Sequence, residues 1–128
     1  MKSKEEIKQL LCDAVDRREA DIFAFYDSVY AEPEYGYKEV KTSAKFRAFL
    51  DSLGVKHQDG LAITGVRADF AGKSHDFRVA LMGELDAIAV PSHPDADPQT
   101  GAVHACGHNA QLASVAAIAY ALHDTDIL

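Results

Sequence analysis

The chain has 128 residues, enough for one domain with a modest core, and 48% of them are hydrophobic, which argues against intrinsic disorder. Its formal net charge of −7 disfavours nucleic acid and anionic membranes as partners. It has no long apolar run and no signal-peptide pattern, so we expect neither membrane insertion nor export. The two cysteines are therefore expected to stay reduced in the cytoplasm.

The N-terminal region is predicted to form one long helix. Ser3 followed by Glu6 is typical of a capping box, and apolar residues then recur at helical spacing as far as Tyr30. Cys12 falls on this pattern, and we interpret it as a packed thiol. Its polar face is expected to be solvated.

Further elements follow in chain order. A second helix is predicted over about residues 38–53, with Gly54 as its stop. Strands are expected near residues 62–71 and 77–83, and the apolar run Val79-Ala-Leu-Met82 is typical of a buried strand. The last helix, over about residues 109–123, has small apolar residues on nearly every side, which predicts burial on more than one face.

This order of elements predicts an α/β fold class. We expect three layers, helix–sheet–helix, around a small and mainly parallel sheet. Two carboxylates, Glu84 and Asp86, directly follow the second predicted strand. Ligands of open α/β sheets bind beyond the carboxyl ends of strands, so acids at this point are placed for chemistry. The alternative is an ordinary turn whose acids face water.

A proline-rich loop leads from these acids to the segment His104-Ala-Cys-Gly-His-Asn109. Thiolate sulfur and imidazole nitrogen are zinc ligands, and Cys106 and His108 are two residues apart, so both can point to one side of a turned backbone. The helix that follows would place its positive dipole end near the thiol. The alternative is a buried cysteine that packs as a small apolar residue beside a surface histidine.

Taken together, these stretches resemble a known family. Its motifs are similar to Gly83-Glu-Leu-Asp-Ala, to Thr100-Gly-Ala, to the His104–Asn109 segment and to Pro33-Glu-Tyr-Gly with the later Thr42. The family is that of the zinc-dependent amidohydrolases and peptidases. It includes aminoacylases, hippurate hydrolase, indoleacetyl-amino-acid hydrolases, the carboxypeptidase G type and aminobenzoyl-glutamate hydrolases.

The resemblance implies a metal-dependent amidohydrolase that cleaves the amide bond of N-acyl amino acids, aryl-glutamates or short peptides. Its cofactor would be zinc, manganese or cobalt, with two ions in the full-length enzyme. Cys106 and His108 match metal ligands, and Asp86 matches the carboxylate that orients a metal-bound histidine. Many relatives have histidine where Glu84 stands, which leaves the role of Glu84 open. His104 matches a neighbour of the site.

The resemblance also implies a longer protein with a lid or dimerisation domain and a general-base glutamate beyond the cysteine motif. We therefore expect residues 1–128 to be the N-terminal part of the metal-binding catalytic domain, truncated and inactive alone, and we expect homo-oligomers. Two other hypotheses stay open. One is a non-enzymatic metal-binding or self-associating module. The other is a hydrolase with Cys106 as nucleophile and His104 or His108 as base.

Overall fold

The computed structural model describes residues 2–128 as four helices and two small sheets. The α/β fold class expected from the sequence is therefore confirmed. No helix among these residues is long and apolar enough to cross a membrane. The elements are α1 (Lys4–Arg17), α2 (Glu19–Tyr30), α3 (Val40–Ser52), β1 (His57–Leu61), β2 (Gly65–Ala68), β3 (Ile88–Ala89), β4 (Ala102–Val103) and α4 (His108–Asp124).

Helices α1 and α2 occupy the stretch predicted as one helix. The capping box is confirmed, because the Ser3 N–H donates to the Glu6 carboxylate at 2.6 Å and the Glu6 N–H donates to the Ser3 hydroxyl at 3.2 Å. The single long helix is wrong, since Arg18 interrupts it with φ −102° and ψ 8°. The Arg18 side chain bonds Asp124 and lies over the Tyr120 ring, 4.7 Å from its centroid. Both α1 and α2 pack against α4.

Cys12 is exposed, so its interpretation as a packed thiol is wrong. The fully buried residue of α1 is Ala14. Two residues correspond to about 200° around a helix, and Cys12 therefore lies on the side opposite Ala14.

The core lies where α3 meets α4. Phe49 and Leu50 of α3 pack with Ala116, Ala119 and Tyr120 of α4. The Phe49 and Tyr120 rings meet edge to face, with centroids 5.1 Å apart and an interplanar angle of 76°. Alanines on α4 allow this close approach. Because α1, α2 and α3 all cover α4, its predicted burial on more than one face is confirmed.

The small, mainly parallel sheet expected from the sequence is wrong for residues 2–128. Strands β1 and β2 pair antiparallel, as do β3 and β4, and the parallel contact observed is a single bridge between Tyr35 and Ala87. The strand predicted over residues 62–71 shortens to β2. Ala62 and Ile63 have φ of +45° and +84° and belong to the turn between β1 and β2, where they cannot continue a strand.

Residues 77–83 form no strand, so the predicted buried strand is also wrong. Phe77, Val79 and Met82 are 81%, 80% and 85% exposed. A strand needs a neighbouring strand to bond its N–H and C=O groups. The apolar pattern of residues 77–83 is typical of a buried strand, but a pattern within one segment cannot show that a neighbouring strand is present.

We expect low pH to weaken the packing of α1 and α2 on α4, because it protonates the carboxylate of Asp124. The Arg18 guanidinium, which donates to both carboxylate oxygens at 2.7 and 3.2 Å, lowers the pKa of Asp124 from 3.8 to about 2. A carboxyl group whose pKa is lowered by folding stabilises the folded state at pH values above the ordinary pKa of that group. This contribution is lost as the pH falls from about 4 to about 2. At pH 7, Asp124→Asn should lower the free energy of unfolding by about 1–2 kcal/mol in urea denaturation.

The control is Asp126→Asn, because Asp126 is exposed two residues further along the chain. Equal unfolding free energies for the two variants would contradict the role assigned to the Arg18–Asp124 pair.

Candidate metal centre

His108 begins α4 and contacts the acids that follow the 77–83 segment. Gly107 precedes it with φ +81°, a left-handed conformation that favours glycine. The His108 Nδ1 lies 2.9 Å from the Asp86 carbonyl oxygen and 3.0 Å from the Asp86 carboxylate. Two acceptors facing one ring nitrogen favour a proton on Nδ1, which directs Nε2 towards any metal ion.

Glu84 lies on the other side of the same imidazole, with its Oε2 3.0 Å from the His108 Nε2. A nitrogen lone pair and a carboxylate repel each other at this distance, so the contact requires a proton or a metal ion between them. The Glu84 backbone N–H donates to the Gln111 Oε1 at 3.2 Å, and the Gln111 amide donates to the Glu84 carboxylate at 3.3 Å. Sequence reasoning missed Gln111, although a spacing of three residues places it on the helix face of His108.

The Cys106 thiol is exposed in the turn before α4. Within residues 2–128, no group of three or more His, Cys, Asp and Glu side chains converges to hold a metal ion. The structure therefore brings Glu84, Asp86 and His108 into contact, while Cys106 lies two residues from His108 without completing a ligand set with them.

His104 and Asn109 are buried beside this turn, at 4% and 1% exposure. Both ring nitrogens of His104 and the Asn109 Nδ2 lack a hydrogen-bond partner among the residues that the structure describes. Burial, followed by the charge of His108, lowers the pKa of His104, and Asp86 opposes this shift. Buried polar atoms without partners are costly, so this turn has hydrogen-bonding capacity that residues 2–128 do not use.

The arrangement does not favour Cys106 as a nucleophile activated by histidine. Both nitrogens of His108 face carboxylates. Both nitrogens of His104 are without partners in the described part of the chain. Neither imidazole is therefore hydrogen bonded to the thiol, as an activated cysteine requires.

The segment Pro33-Glu-Tyr-Gly lies directly behind the acids. The Ala87 N–H donates to the Glu34 carbonyl at 2.7 Å, next to the parallel bridge between Tyr35 and Ala87. A Cβ atom added to Gly36 would lie 3.9 Å from the Asp86 Cβ, so the two backbones approach closely. This segment therefore sets the position of Asp86 relative to His108.

The proline-rich loop is fixed by Asp97. Its carboxylate accepts hydrogen bonds from the Gln99 N–H at 3.0 Å and from the Thr100 N–H and hydroxyl at 2.7 and 2.9 Å. The hydrogen bonds from Thr100 lower the pKa of Asp97. The Thr100 carbonyl in turn accepts from the Tyr35 hydroxyl at 2.6 Å. Two of the motifs that are separate in the sequence are thus in contact.

Several curated proteins match about two thirds to three quarters of the chain. IAA-amino acid hydrolase ILR1-like 4 of Arabidopsis thaliana is 38% identical over 85 residues, which are 64% of this chain and 19% of that protein. Thermostable carboxypeptidase 1 of Saccharolobus solfataricus is 33% identical over 98 residues, 73% of this chain and 25% of that protein. N-acetyl-L-cysteine deacetylase of Bacillus subtilis is 32% identical over 95 residues, 72% of this chain and 23% of that protein.

The chain is homologous to the amidohydrolase and peptidase family. The resemblance inferred from its motifs is thereby confirmed. The chain spans about a fifth to a quarter of the length of these relatives. No family model matches it, and no solved structure gives a significant match.

We expect Glu34 to stabilise the fold as the cap of α3. Its carboxylate accepts hydrogen bonds from the Lys41 N–H at 3.1 Å and from the Thr42 N–H and hydroxyl at 2.9 and 3.1 Å. Removing a side-chain cap leaves helix N–H groups without partners, so Glu34→Ala should lower the free energy of unfolding by about 1–2 kcal/mol. Glu34→Gln keeps an acceptor oxygen and should lose less. Equal losses in urea denaturation would show that hydrogen bonding is not the source.

Proposed function

We propose that residues 1–128 form the N-terminal part of the catalytic domain of a metal-dependent amidohydrolase. The substrates of the whole protein would be N-acyl amino acids, aryl-glutamates or short peptides. The names of the relatives support this proposal, since they comprise a hydrolase of amino acid conjugates, a deacetylase and a carboxypeptidase. These names share the hydrolysis of an amide bond at an amino acid.

The observation that carries the proposal is the imidazole of His108 between Asp86 and Glu84. The donor types fit a transition metal, because sulfur and imidazole nitrogen prefer zinc and carboxylate oxygen is also accepted. Cys106 and His108 would hold the ion, which we propose to be zinc, manganese or cobalt, with two ions in the whole enzyme. A bound ion of this kind polarises a carbonyl and lowers the pKa of water.

The residues of this chain would act by orienting the donors. The Asp86 carboxylate accepts a hydrogen bond from the Nδ1–H group of His108. The lone pair of Nε2 is then available to bind a metal ion. Gln111 holds Glu84 so that an oxygen faces Nε2, which makes Glu84 the third candidate ligand. We assign the remaining ligands and the general base to other parts of the whole protein, because this chain spans about a fifth to a quarter of the length of its relatives.

A second candidate function is self-association. One observation favours it, namely the joint exposure of Phe77, Val79 and Met82. We propose a second copy of the chain as a partner on this basis.

Both cysteines are exposed thiols without a disulfide, which supports the cytoplasm as the proposed location.

We expect the chain to bind zinc weakly through Cys106 and His108. An incomplete ligand set gives low affinity, so equilibrium dialysis followed by metal analysis should find sub-stoichiometric zinc. Cys106→Ser and His108→Ala should each lower the zinc content severalfold. Cys12→Ser is the matched control, because Cys12 is also exposed but lies on α1. Equal zinc contents in the wild type and in Cys106→Ser would contradict the assignment of Cys106 as a metal ligand.

We expect the matched residues to function inside a complete enzyme. In thermostable carboxypeptidase 1, the 98 matched residues can be replaced by those of this chain. The chimera should hydrolyse N-acyl amino acids or peptides, and Cys106→Ser should abolish this activity without unfolding, as judged by circular dichroism. The 128-residue chain alone should show no turnover. A folded, zinc-loaded chimera without amidase activity would overturn the proposed function.

A further inference from the structure

The Gln111 side chain bonds Glu84 through both of its polar atoms. Its Oε1 accepts a hydrogen bond from the Glu84 N–H at 3.2 Å, and its Nε2 donates to the Glu84 Oε2 at 3.3 Å. The same Oε2 lies 3.0 Å from the His108 Nε2. One amide therefore holds the main chain and the carboxylate of Glu84 together, with a carboxylate oxygen directed at the imidazole.

Hydrogen bonding, not burial, keeps the Glu84 carboxylate in this place. The Glu84 side chain is 63% exposed, whereas the His108 side chain is 14% exposed. An exposed glutamate samples several rotamers, and ordering it costs conformational entropy. Because Gln111 orders the carboxylate before any ion is bound, less of that cost falls on ion binding.

Gly83 lets the chain approach α4 closely enough for this contact. A Cβ atom at Gly83 would lie 3.2 Å from the Val115 Cγ2 and 3.3 Å from the Leu112 Cδ2, which is tighter than ordinary van der Waals contact. A side chain at this position would push the neighbouring Glu84 away from the helix that carries Gln111. The close backbone approach and the hydrogen bonds therefore hold Glu84 against the same helix face.

Glu84 offers a donor of a different chemical type from Cys106 and His108. Thiolate sulfur selects soft ions, and imidazole suits zinc, whereas carboxylate oxygen suits manganese. Manganese is also the weaker binder of the two ions at a given set of ligands. Loss of a carboxylate donor therefore lowers the affinity for manganese more than the affinity for zinc.

We propose that Gln111 is a positioning residue that sets the relative affinity of the site for manganese and zinc, because it holds Glu84 as an oxygen donor beside His108. This inference rests on the proposed function, in which Cys106 and His108 bind the ion. When Glu84 is held, the affinity for manganese is closer to the affinity for zinc. When Glu84 is released, sulfur and nitrogen remain as donors, and the preference moves towards zinc.

Equilibrium dialysis against Mn²⁺ alone and against Zn²⁺ alone, followed by metal analysis, tests the proposal on the 128-residue chain. Gln111→Leu removes both hydrogen bonds at an exposed helix position, and Glu84→Gln removes the carboxylate. We expect each variant to lower the manganese affinity about tenfold and the zinc affinity less than about threefold. Gln58→Leu is the matched control, because Gln58 is exposed on β1, and it should leave both affinities unchanged.

The possible outcomes separate the role of Gln111 from the metal site itself. Urea denaturation should give Gln111→Leu the unfolding free energy of the wild type, so a structural loss would be detected independently. Equal losses for the two ions in Gln111→Leu, or an effect of Glu84→Gln alone, would overturn the inference and leave the metal site standing. Zinc binding without manganese binding in the wild type would have the same meaning. A wild type that binds neither ion would contradict the metal site of the proposed function.

Discussion

The apolar surface of α4 is the constraint on which the rest of the structure depends. Helices α1 and α2 cover one side of it, and Phe49 of α3 packs edge to face on Tyr120. Asp124, at the C-terminal end of α4, is held by Arg18 from the break between α1 and α2. Because one rigid helix carries these contacts, its N-terminal residue His108 is positioned by the core as well as by the turn that precedes it.

The motifs that identify the family divide into two physical roles. Glu34 caps α3, Asp97 orders the proline-rich loop, and the Glu34 carbonyl bonds the backbone of Ala87. These contacts supply no reacting group but bring Asp86 against His108. The side chains proposed to bind a metal ion, Cys106 and His108, lie together at the start of α4. The two carboxylates that flank one imidazole are costly without a cation or proton between them, which is why we interpret this contact as the centre of a metal site.

Two regions near Glu84 and Asp86 carry hydrogen-bonding groups that find no partner within residues 2–128. The first is the buried turn with the imidazole of His104 and the amide of Asn109. The second is the exposed backbone and apolar face of residues 77–83. The first region adjoins His108, which contacts both acids, and the second directly precedes Glu84. The residues proposed to hold a metal ion and the exposed apolar residues therefore lie next to each other along one stretch of chain.

The sequence by itself determined the family, the donor types and the helical regions, but not the break at Arg18 that divides the first of them. Helix bonds are local, so the capping box at Ser3 and the stop at Gly54, where φ is +66°, could be inferred from neighbouring residues. Strand pairing is non-local, and apolar alternation could specify neither the turn at Ala62 nor the missing neighbour of residues 77–83. The site divides in the same way. Cys106 and His108 follow from residue chemistry, whereas the contacts of His108 with Asp86, 22 residues away, and of Gln111 with Glu84, 27 residues away, were decided by packing alone.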